Sequence, residues 1–600
     1  MTWLKFLRNW SQGSRRMMTN QHAHPTPPQG SRSLLPGSCM TSKRLELLLT
    51  PIDLDYDQDL FNYTRGCFVC DNELERSQRQ VRFNVNELAR KAAEAVGAKT
   101  CIKIAKYPDG MYNKSMLLTM DDGSRVVAKV PNPNAGRPHL TTASEVATMN
   151  FARAVLEIPV PKVLAWCSQA HETPVGAEYI IMEEVPGVQI EEVWPRMSIE
   201  DRFAIVKSVA GYQKIWTSVS FTKYGSLYFA KDLNNTSRSQ PLYIDTNGDQ
   251  ITNEQFAIGP TTSRETFDNG RGEIEFDTGP CKWVLENWKL LWLTPIGNSL
   301  EAYHLAIGQR EMACIRNLAK LPKSPITLCG PGTYQPTKMK KLKALNCYLD
   351  LVKHLLPSDP QISSAHLWHD DLHLANIIVD PVEPTKILGL IDWQSTEISP
   401  LYFHARQPHF MDYDGPPING LERPQLREDL DELEPSEREK ANTLYLQQSL
   451  CSLYNTLIHR QNPRLYASLQ FQRTQKYLLL VLARNILIDG EASYLAQVAE
   501  LESTWDEFSG KDGSSYPFTF SEKERQELET DVEGVARGMN AMRSIKESLG
   551  ELFPEQGIVK PEEYEEALDA LSQIKTQVID EFATNEVEKE EWEKMWPFGT

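Results

Sequence analysis

Residues 368 to 393 leave this chain few choices of fold. They begin Trp368-His369-Asp370-Asp371-Leu372-His373-Leu374-Ala375-Asn376, and Asp392 follows sixteen residues after Asn376, at the end of the apolar run Ile387-Leu388-Gly389-Leu390-Ile391. A polar loop of this kind must be displayed by rigid elements. Ile377-Ile378-Val379 reads as a short strand, Pro381 and Pro384 punctuate a turn, and 387–391 returns as a second strand. A hairpin centred on Glu383 and Pro384 sets Val379 near Leu388 and Asn376 near Ile391. Asp392 then falls beside Asn376, within reach of one shared ion. A slip of one residue would turn the carboxylate to the other face.

His-x-Asp-Leu-x-x-x-Asn with an Asp ending the next strand is the constellation that phosphoryl transfer asks for. That chemistry needs positioning and charge neutralisation more than covalent work. Asp371 is placed to orient an acceptor hydroxyl and take its proton. Asn376 and Asp392 offer oxygen to Mg²⁺, a hard ion that pairs with phosphate. His369 reads as a brace for the loop. Two other readings use the same residues. His366, His369 and His373 lie three and four apart, a zinc face if helical, but the flanking strand and carboxylates make this stretch a loop. Asp370 beside Asp371 suggests a carboxylate pair, yet adjacent residues rarely face one substrate.

Upstream, Asn84 to Val96 predicts a short helix ending at Gly97. Cys101 to Ile104, Ser115 to Met120 and Arg125 to Val130 predict three antiparallel strands, the last two joined by the turn Asp121-Asp122-Gly123-Ser124. The turn from Lys106 to Asn113 would lie over nucleotide phosphates, which assigns Gly110 and Asn113 to the cofactor. It holds one glycine rather than a G-x-G-x-x-G. Val127-Ala128-Lys129 matches the strand signature whose Lys reaches the α- and β-phosphates. Glu145, sixteen residues on, is the candidate partner for Lys129. Thr142 and Glu145 also have the spacing of a capping box, so Glu145 has a second possible role. Glu178 to Gly187 runs from an apolar strand into an acidic Pro-Gly stretch suited to a hinge.

Bulk properties bound the rest. Six hundred residues exceed one hydrophobic core, so two to four structural units are expected. A net charge of −18 argues against a nucleic-acid partner, which needs a basic face. Ten cysteines are widely spread, and Cys67 and Cys70 form the single C-x-x-C, without the second pair a structural zinc needs. The longest apolar run, Tyr477 to Ile488, is broken by Arg484 and reads as a buried helix, so no transmembrane segment is expected. Residues 1–45 carry Lys and Arg but no Asp or Glu, and Trp3, Phe6, Leu7 and Trp10 share a helical face. That composition suits a mitochondrial transit peptide. Beyond Ser521 the chain is acidic, with one stripe from Leu528 to Leu549 and another from Tyr564 to Phe582, a helical pair expected to dock on the preceding unit.

The blocks around Leu367 to Ile377 and Ile391-Asp392-Trp393 resemble the aminoglycoside phosphotransferase family, which shares the protein-kinase-like fold. Tyr112-Asn113, Val127 to Pro131, Pro133 to Gly136, Thr142 to Ala147, Gly225 to Tyr228, Ile258 to Pro260 and Gly279-Pro280 resemble its fungal branch named for altered inheritance of mitochondria. The resemblance covers roughly residues 60 to 500. It implies an α+β bilobal fold, ATP and Mg²⁺ as cofactors, a small molecule with a hydroxyl as acceptor, and a mitochondrial location. The expected organisation is 1–45 for targeting and 60–187 for the small nucleotide-binding lobe and hinge. The large lobe follows at 188–515, with an insertion near 232–281, and an acidic helical extension at 521–600. Residues 195 to 345, the insertion included, are expected to shape the acceptor pocket, with an acidic wall for a cationic acceptor. The rival reading is a non-catalytic kinase-like scaffold.

Overall fold

The structure is a computed structural model that describes residues 45–48, 58–233, 240–274, 299–510 and 513–599. The basic amphipathic start of the chain and the end of the insertion lie outside the described residues.

The predicted three-stranded meander forms the middle of a larger sheet. Cys101–Lys106, Asn113–Met120 and Arg125–Pro131 pair antiparallel in sequence order. Tyr179–Glu183 and Val163–Cys167 extend the sheet on one side and Leu45–Leu48 on the other, giving six strands. Gly123 turns the central hairpin with a positive φ of 85°, a conformation that glycine adopts without strain. Alternate residues Met116, Leu118, Val126, Ala128 and Val130 are buried in one core with Val85, Leu88 and Ala92 of the helix Val85–Val96. Each fully buried Leu, Val or Met there contributes about 1.5–3 kcal/mol. The helix starts and ends as its sequence predicts. The Asn84 side chain accepts from Glu87 N–H, and Gly97 closes it in the left-handed region.

The chain leaves this lobe through Glu184 to Gly187 and pairs at once with the hairpin that ends before Asp392. Val188–Gln189 lies against Ile377–Val379, which pairs with Ile387–Leu390 on its other side. Only glycine fits at position 187, because a Cβ there would stand 2.4 Å from the Val379 carbonyl oxygen. The hairpin register agrees with the sequence reading where it matters, since Ile391 N–H donates to Asn376 C=O at 3.0 Å. At the far end a bulge pairs Val379 with Ile387 rather than Leu388.

A five-stranded sheet completes the frame. Its strand Ala365–Trp368 leads into the catalytic loop and pairs with Glu397–Pro400, which follows Asp392. Trp216, Trp368 and Trp393 pack edge to face beneath the loop, with centroids 5.3 and 6.1 Å from Trp216. Helices Pro435–Gln461, Pro463–Phe471, Gln475–Asn485 and Glu491–Glu500 build the body of this lobe.

The acidic C-terminal region forms two long helices, Glu522–Leu549 and Tyr564–Phe582. Ser521 and Glu524 form the capping box that opens the first. Gly538 lets that helix press onto the large lobe, where a Cβ would stand 2.3 Å from the Leu328 carbonyl oxygen. The extension also reaches the beginning of the chain. Ile558–Val559 pairs antiparallel with Cys67–Phe68, and Val69, Met542, Leu571, Trp592 and Trp596 share a core. Among the described residues no helix is long and apolar enough to cross a membrane.

Candidate active site

Lys129 sits in an interior strand, opposite Ser115 on one side and Ile180 on the other. Two neighbours in register hold its backbone, so its side chain leaves the sheet at a defined place. Its ammonium donates to Glu145 Oε1 at 2.6 Å and to Asp392 Oδ1 at 2.8 Å. The first contact resolves the two roles open for Glu145. The helix Leu140–Ala154 begins two residues ahead of Thr142, with His139 at its N-cap position and no side-chain cap. The Thr142 hydroxyl donates instead to Glu178 Oε2 at 2.5 Å. Glu145 is therefore an ion-pair partner, not a cap. The second contact is new. Lys129 bridges the two lobes to Asp392, which the hairpin reading set beside Asn376 alone. Burial presses the Lys129 pKa down, but Asp392 and Glu145 outweigh it, and the ammonium is held above its ordinary value.

Asp392 leaves its strand with φ 60°, in the left-handed region that residues with a Cβ seldom adopt. This departure swings the carboxylate out of the strand line. It is 35% exposed while Lys129 and Glu145 are 7% and 2%, so Asp392 is the member of the cluster open to the cleft.

The loop itself is tied from within. Asn376 Nδ2 donates to the Asp371 carbonyl oxygen at 2.9 Å and to its Oδ2 at 3.4 Å. With the amide nitrogen so used, Asn376 Oδ1 is the atom left to meet a cation. His373 Nε2 lies 3.5 Å from Asp371 Oδ2. His369 is buried, its pKa lowered by that burial, and its Nε2 meets the Ile391 carbonyl oxygen at 3.0 Å. A neutral imidazole donating there braces the loop against the strand that carries Asp392. His366 lies in the preceding strand against Ser364 Oγ at 2.9 Å, so the three histidines have separate partners and share no metal face. Asp370 and Asp371 also diverge. Asp370 Oδ1 accepts from Arg406 at 2.8 Å, away from the Asn376 bonds of its neighbour.

The turn from Lys106 to Asn113 owes its shape to a residue the sequence reading passed over. Asp109 is buried and accepts from Lys106 at 3.0 Å, Lys114 at 2.9 Å and Thr64 N–H at 2.9 Å. Gly110 has no positive φ, and a Cβ on it would meet nothing nearer than 3.6 Å, so the backbone does not demand glycine there. Asn113 clasps the other lobe. Its Nδ2 donates to Gln394 Oε1 at 2.9 Å, and Gln394 Nε2 returns a bond at 3.2 Å.

Beyond Asp371 opens a cavity of about 450 Å³. The insertion contributes Arg264 and Glu265 to its wall, and Asp370, Asp371, Glu397, Asp412, Arg406, Arg473 and Arg484 complete the lining by Asp, Glu and Arg. Arg484 engages Glu265, and Arg406 engages Asp370. The pocket is thus close to charge-balanced, where an acidic wall was expected. Burial holds the Glu397 carboxyl up to about 7, and Arg484 offsets part of that rise. Asp370, Glu397 and His404 bring candidate ligand atoms within 4.8 Å of one another. With Arg406 already on Asp370, and Arg484 3.9 Å from Glu397, that trio has less charge to offer a cation than its composition suggests.

A small antiparallel-sheet lobe, a mainly helical large lobe and a catalytic hairpin facing a buried Lys–Glu pair define a bilobal, kinase-like phosphotransferase fold. The profile of the phosphotransferase enzyme family matches residues 103–251 and 305–403. A subtelomeric hrmA-associated cluster protein of Aspergillus fumigatus is 30% identical over 506 residues, 80% of this chain and 93% of the relative. Altered inheritance of mitochondria protein 9 of Yarrowia lipolytica is 23% identical, over 81% of this chain and 84% of that protein. A solved aminoglycoside phosphotransferase, APH(2'')-Ib bound to ADP, aligns over 66% of this chain and 99% of its own at 11% identity and a TM-score of 0.28. The chain belongs to the phosphotransferase enzyme family.

Proposed function

We propose that this protein moves the γ-phosphoryl group of ATP, bound with Mg²⁺, to a hydroxyl of a small molecule. The observation that carries the reading is Lys129, buried and shared between Glu145 and the exposed carboxylate of Asp392 across the lobes. Lys129 is placed to clamp the α- and β-phosphates, and Glu145 keeps its ammonium aimed. Asn376 and Asp392 suit Mg²⁺ because both offer oxygen, and that ion would neutralise phosphate charge. Asp371 orients the acceptor hydroxyl and takes its proton, while the Asn376 amide and His369 keep the loop from shifting. The balanced wall of the cavity favours a neutral or zwitterionic polar alcohol over a cationic one.

The test is thermal stabilisation of the full chain by ATP with and without Mg²⁺, in the parent and in Asp392→Ala. The expected result is stabilisation of the parent that depends on Mg²⁺ and disappears in the variant. A parent unmoved by ATP would assign the fold to a non-catalytic scaffold.

A mitochondrial location is supported by the basic, acid-free residues 1–45 and by the name that the Yarrowia relative carries, in which it is called mitochondrial. A reporter fused to residues 1–45 should enter mitochondria, and a cytosolic reporter would sink that part of the reading.

A further inference from the structure

The turn Asn62 to Gly66 lies outside the segments matched by the family profile, yet it is fastened both to the loop from Lys106 to Lys114 and to the C-terminal extension. The Thr64 N–H and hydroxyl both donate to Asp109 Oδ2, at 2.9 and 3.1 Å, and the Asn62 carbonyl accepts from Lys106 at 2.6 Å. Those bonds seat the turn on the loop over the phosphate space. Gly66 abuts the C-terminal extension, where a Cβ would stand 2.5 Å from the Val559 carbonyl oxygen, and the strand pair of Cys67–Phe68 with Ile558–Val559 follows directly. At the centre of this fastening stands Arg65.

Arg65 is half-buried, and its hydrogen-bond partner among the described residues is Gln556 Oε1 at 3.4 Å. Gln556 itself holds φ 60°, a costly conformation for a residue with a Cβ. No carboxylate among the described residues forms an ion pair with Arg65. Arg264, Arg406 and Arg484, around the neighbouring cavity, each engage one. A partly desolvated guanidinium without a carboxylate is costly, and the cost falls when a ligand brings an anion. The loop from Lys106 to Lys114, to which Thr64 and Asn62 are bonded, marks where that anion belongs. Burial lowers its pKa, opposed by Tyr63, by Tyr112 of the phosphate turn and by Asp371. The turn over the phosphates and the base of the acceptor hydroxyl are the two ends of the path a γ-phosphoryl group must travel.

We propose that Arg65, delivered by the Asn62 to Gly66 turn and steadied by Gln556 of the C-terminal extension, binds the γ-phosphoryl group during its transfer. The proposal rests on the phosphotransfer reading above. The bond from γ-phosphorus to the bridging β–γ oxygen breaks, a bond to the acceptor oxygen forms, the hydroxyl proton passes to Asp371, and ADP leaves. Arg65 neither gives nor takes a proton; its paired N–H groups meet the phosphoryl oxygens. Gln556 is a positioning residue, and the C-terminal extension thereby becomes part of the active site.

The experiment compares Mg²⁺ complexes of ADP and of a non-hydrolysable ATP analogue as stabilisers of the full chain, together with ATP hydrolysis using water as acceptor. Arg65→Met keeps the apolar stem and removes the charge. The parent should gain more in melting temperature from the analogue than from ADP. Arg65→Met should keep the ADP gain, lose the extra gain, and hydrolyse ATP about 100-fold more slowly. Its KM for ATP should stay within about threefold of the parent's. Arg65→Lys should recover part of the rate, and Gln556→Ala should slow it about tenfold with the ADP gain intact. The proposal is overturned if Arg65→Met keeps both the extra gain and the rate. If Arg65→Met fails to fold, an unchanged rate in well-folded Gln556→Ala overturns it. A parent stabilised by neither nucleotide removes the phosphotransfer reading itself, which is a different result.

Discussion

Two ionic clusters in this molecule are built from the same groups in opposite proportion. On the phosphate turn, one carboxylate, Asp109, serves two ammoniums, Lys106 and Lys114. In the cleft, one ammonium, Lys129, serves two carboxylates, Glu145 and Asp392. The first is sealed, with every side chain no more than 4% exposed, whereas the second opens at Asp392. The pKa directions diverge accordingly. Lys129 is held above its ordinary value, while burial and the nearby Lys106 push Lys114 down to about 8 against the pull of Asp109. The contrast teaches what each cluster is for. A sealed cluster whose charges are spent on one another shapes a loop. A cluster with one open carboxylate can surrender it to a cation and leave the lysine free for phosphate.

Breaking the two clusters should therefore fail in different ways. Lys129→Met should lower turnover about 1,000-fold, as expected for loss of a phosphate clamp, with a much smaller fractional loss of stability. Steady-state kinetics set beside a denaturant titration would check this, and a loss of stability without loss of rate would merge the two clusters into one structural type. Asp109→Ala should show the reverse order. It leaves two buried ammoniums on the Asn62 carbonyl without their shared carboxylate and should cost about 3–5 kcal/mol of unfolding free energy. Urea unfolding would measure that cost, and a value under about 1 kcal/mol would show that the turn does not depend on the cluster.

The pH dependence sharpens the difference. Lys114 has a folded pKa of about 8 against an ordinary 10.5, so the unfolded chain binds more protons between those values. Stability should rise with pH across that window through this group, by up to about 3 kcal/mol. Lys114→Met should flatten the rise, which melting curves at pH 8 and pH 10 would reveal. The smallest effect is expected from Gln394→Ala. It breaks the amide clasp with Asn113 and should cost about 1 kcal/mol. ATP affinity should weaken only slightly, as equilibrium binding would show.

Much of this molecule was legible in its residues, for physical reasons that differ by element. The helix from Val85 to Val96 follows from Asn84 and Gly97, because cap chemistry is local. The register that sets Asn376 against Ile391 follows from turn length and strand period. The helix from Glu522 to Leu549 follows from its stripe, and in the structure Ser521 with Glu524 opens it as a capping box. The Thr142 to Glu145 spacing looked like the same cap and was not one, because Glu178 takes the threonine hydroxyl and Lys129 takes the glutamate. Local spacing permits a cap, but a stronger partner brought in from another strand displaces it. Asp109 gave no signal, since an aspartate in a Pro-Asp-Gly turn normally faces water. The strand pair of Cys67–Phe68 with Ile558–Val559 could not be read either. Two-residue strands carry no period, and they lie some 490 residues apart in sequence.

The residues by themselves determined the chemistry that the chain can offer: an aspartate, an asparagine and a strand-end aspartate at spacings that a hairpin must bring together, and a lysine in an interior strand. Tertiary structure decided how those groups share charge. It placed Asp392 on Lys129, gave Glu145 an ion pair in place of a cap, balanced the cavity wall with arginines and set the turn that carries Arg65 against Asp109. Such choices depend on which charges meet after burial, when each must find a partner or bear the cost of desolvation, and no short stretch of sequence contains both members of those pairs.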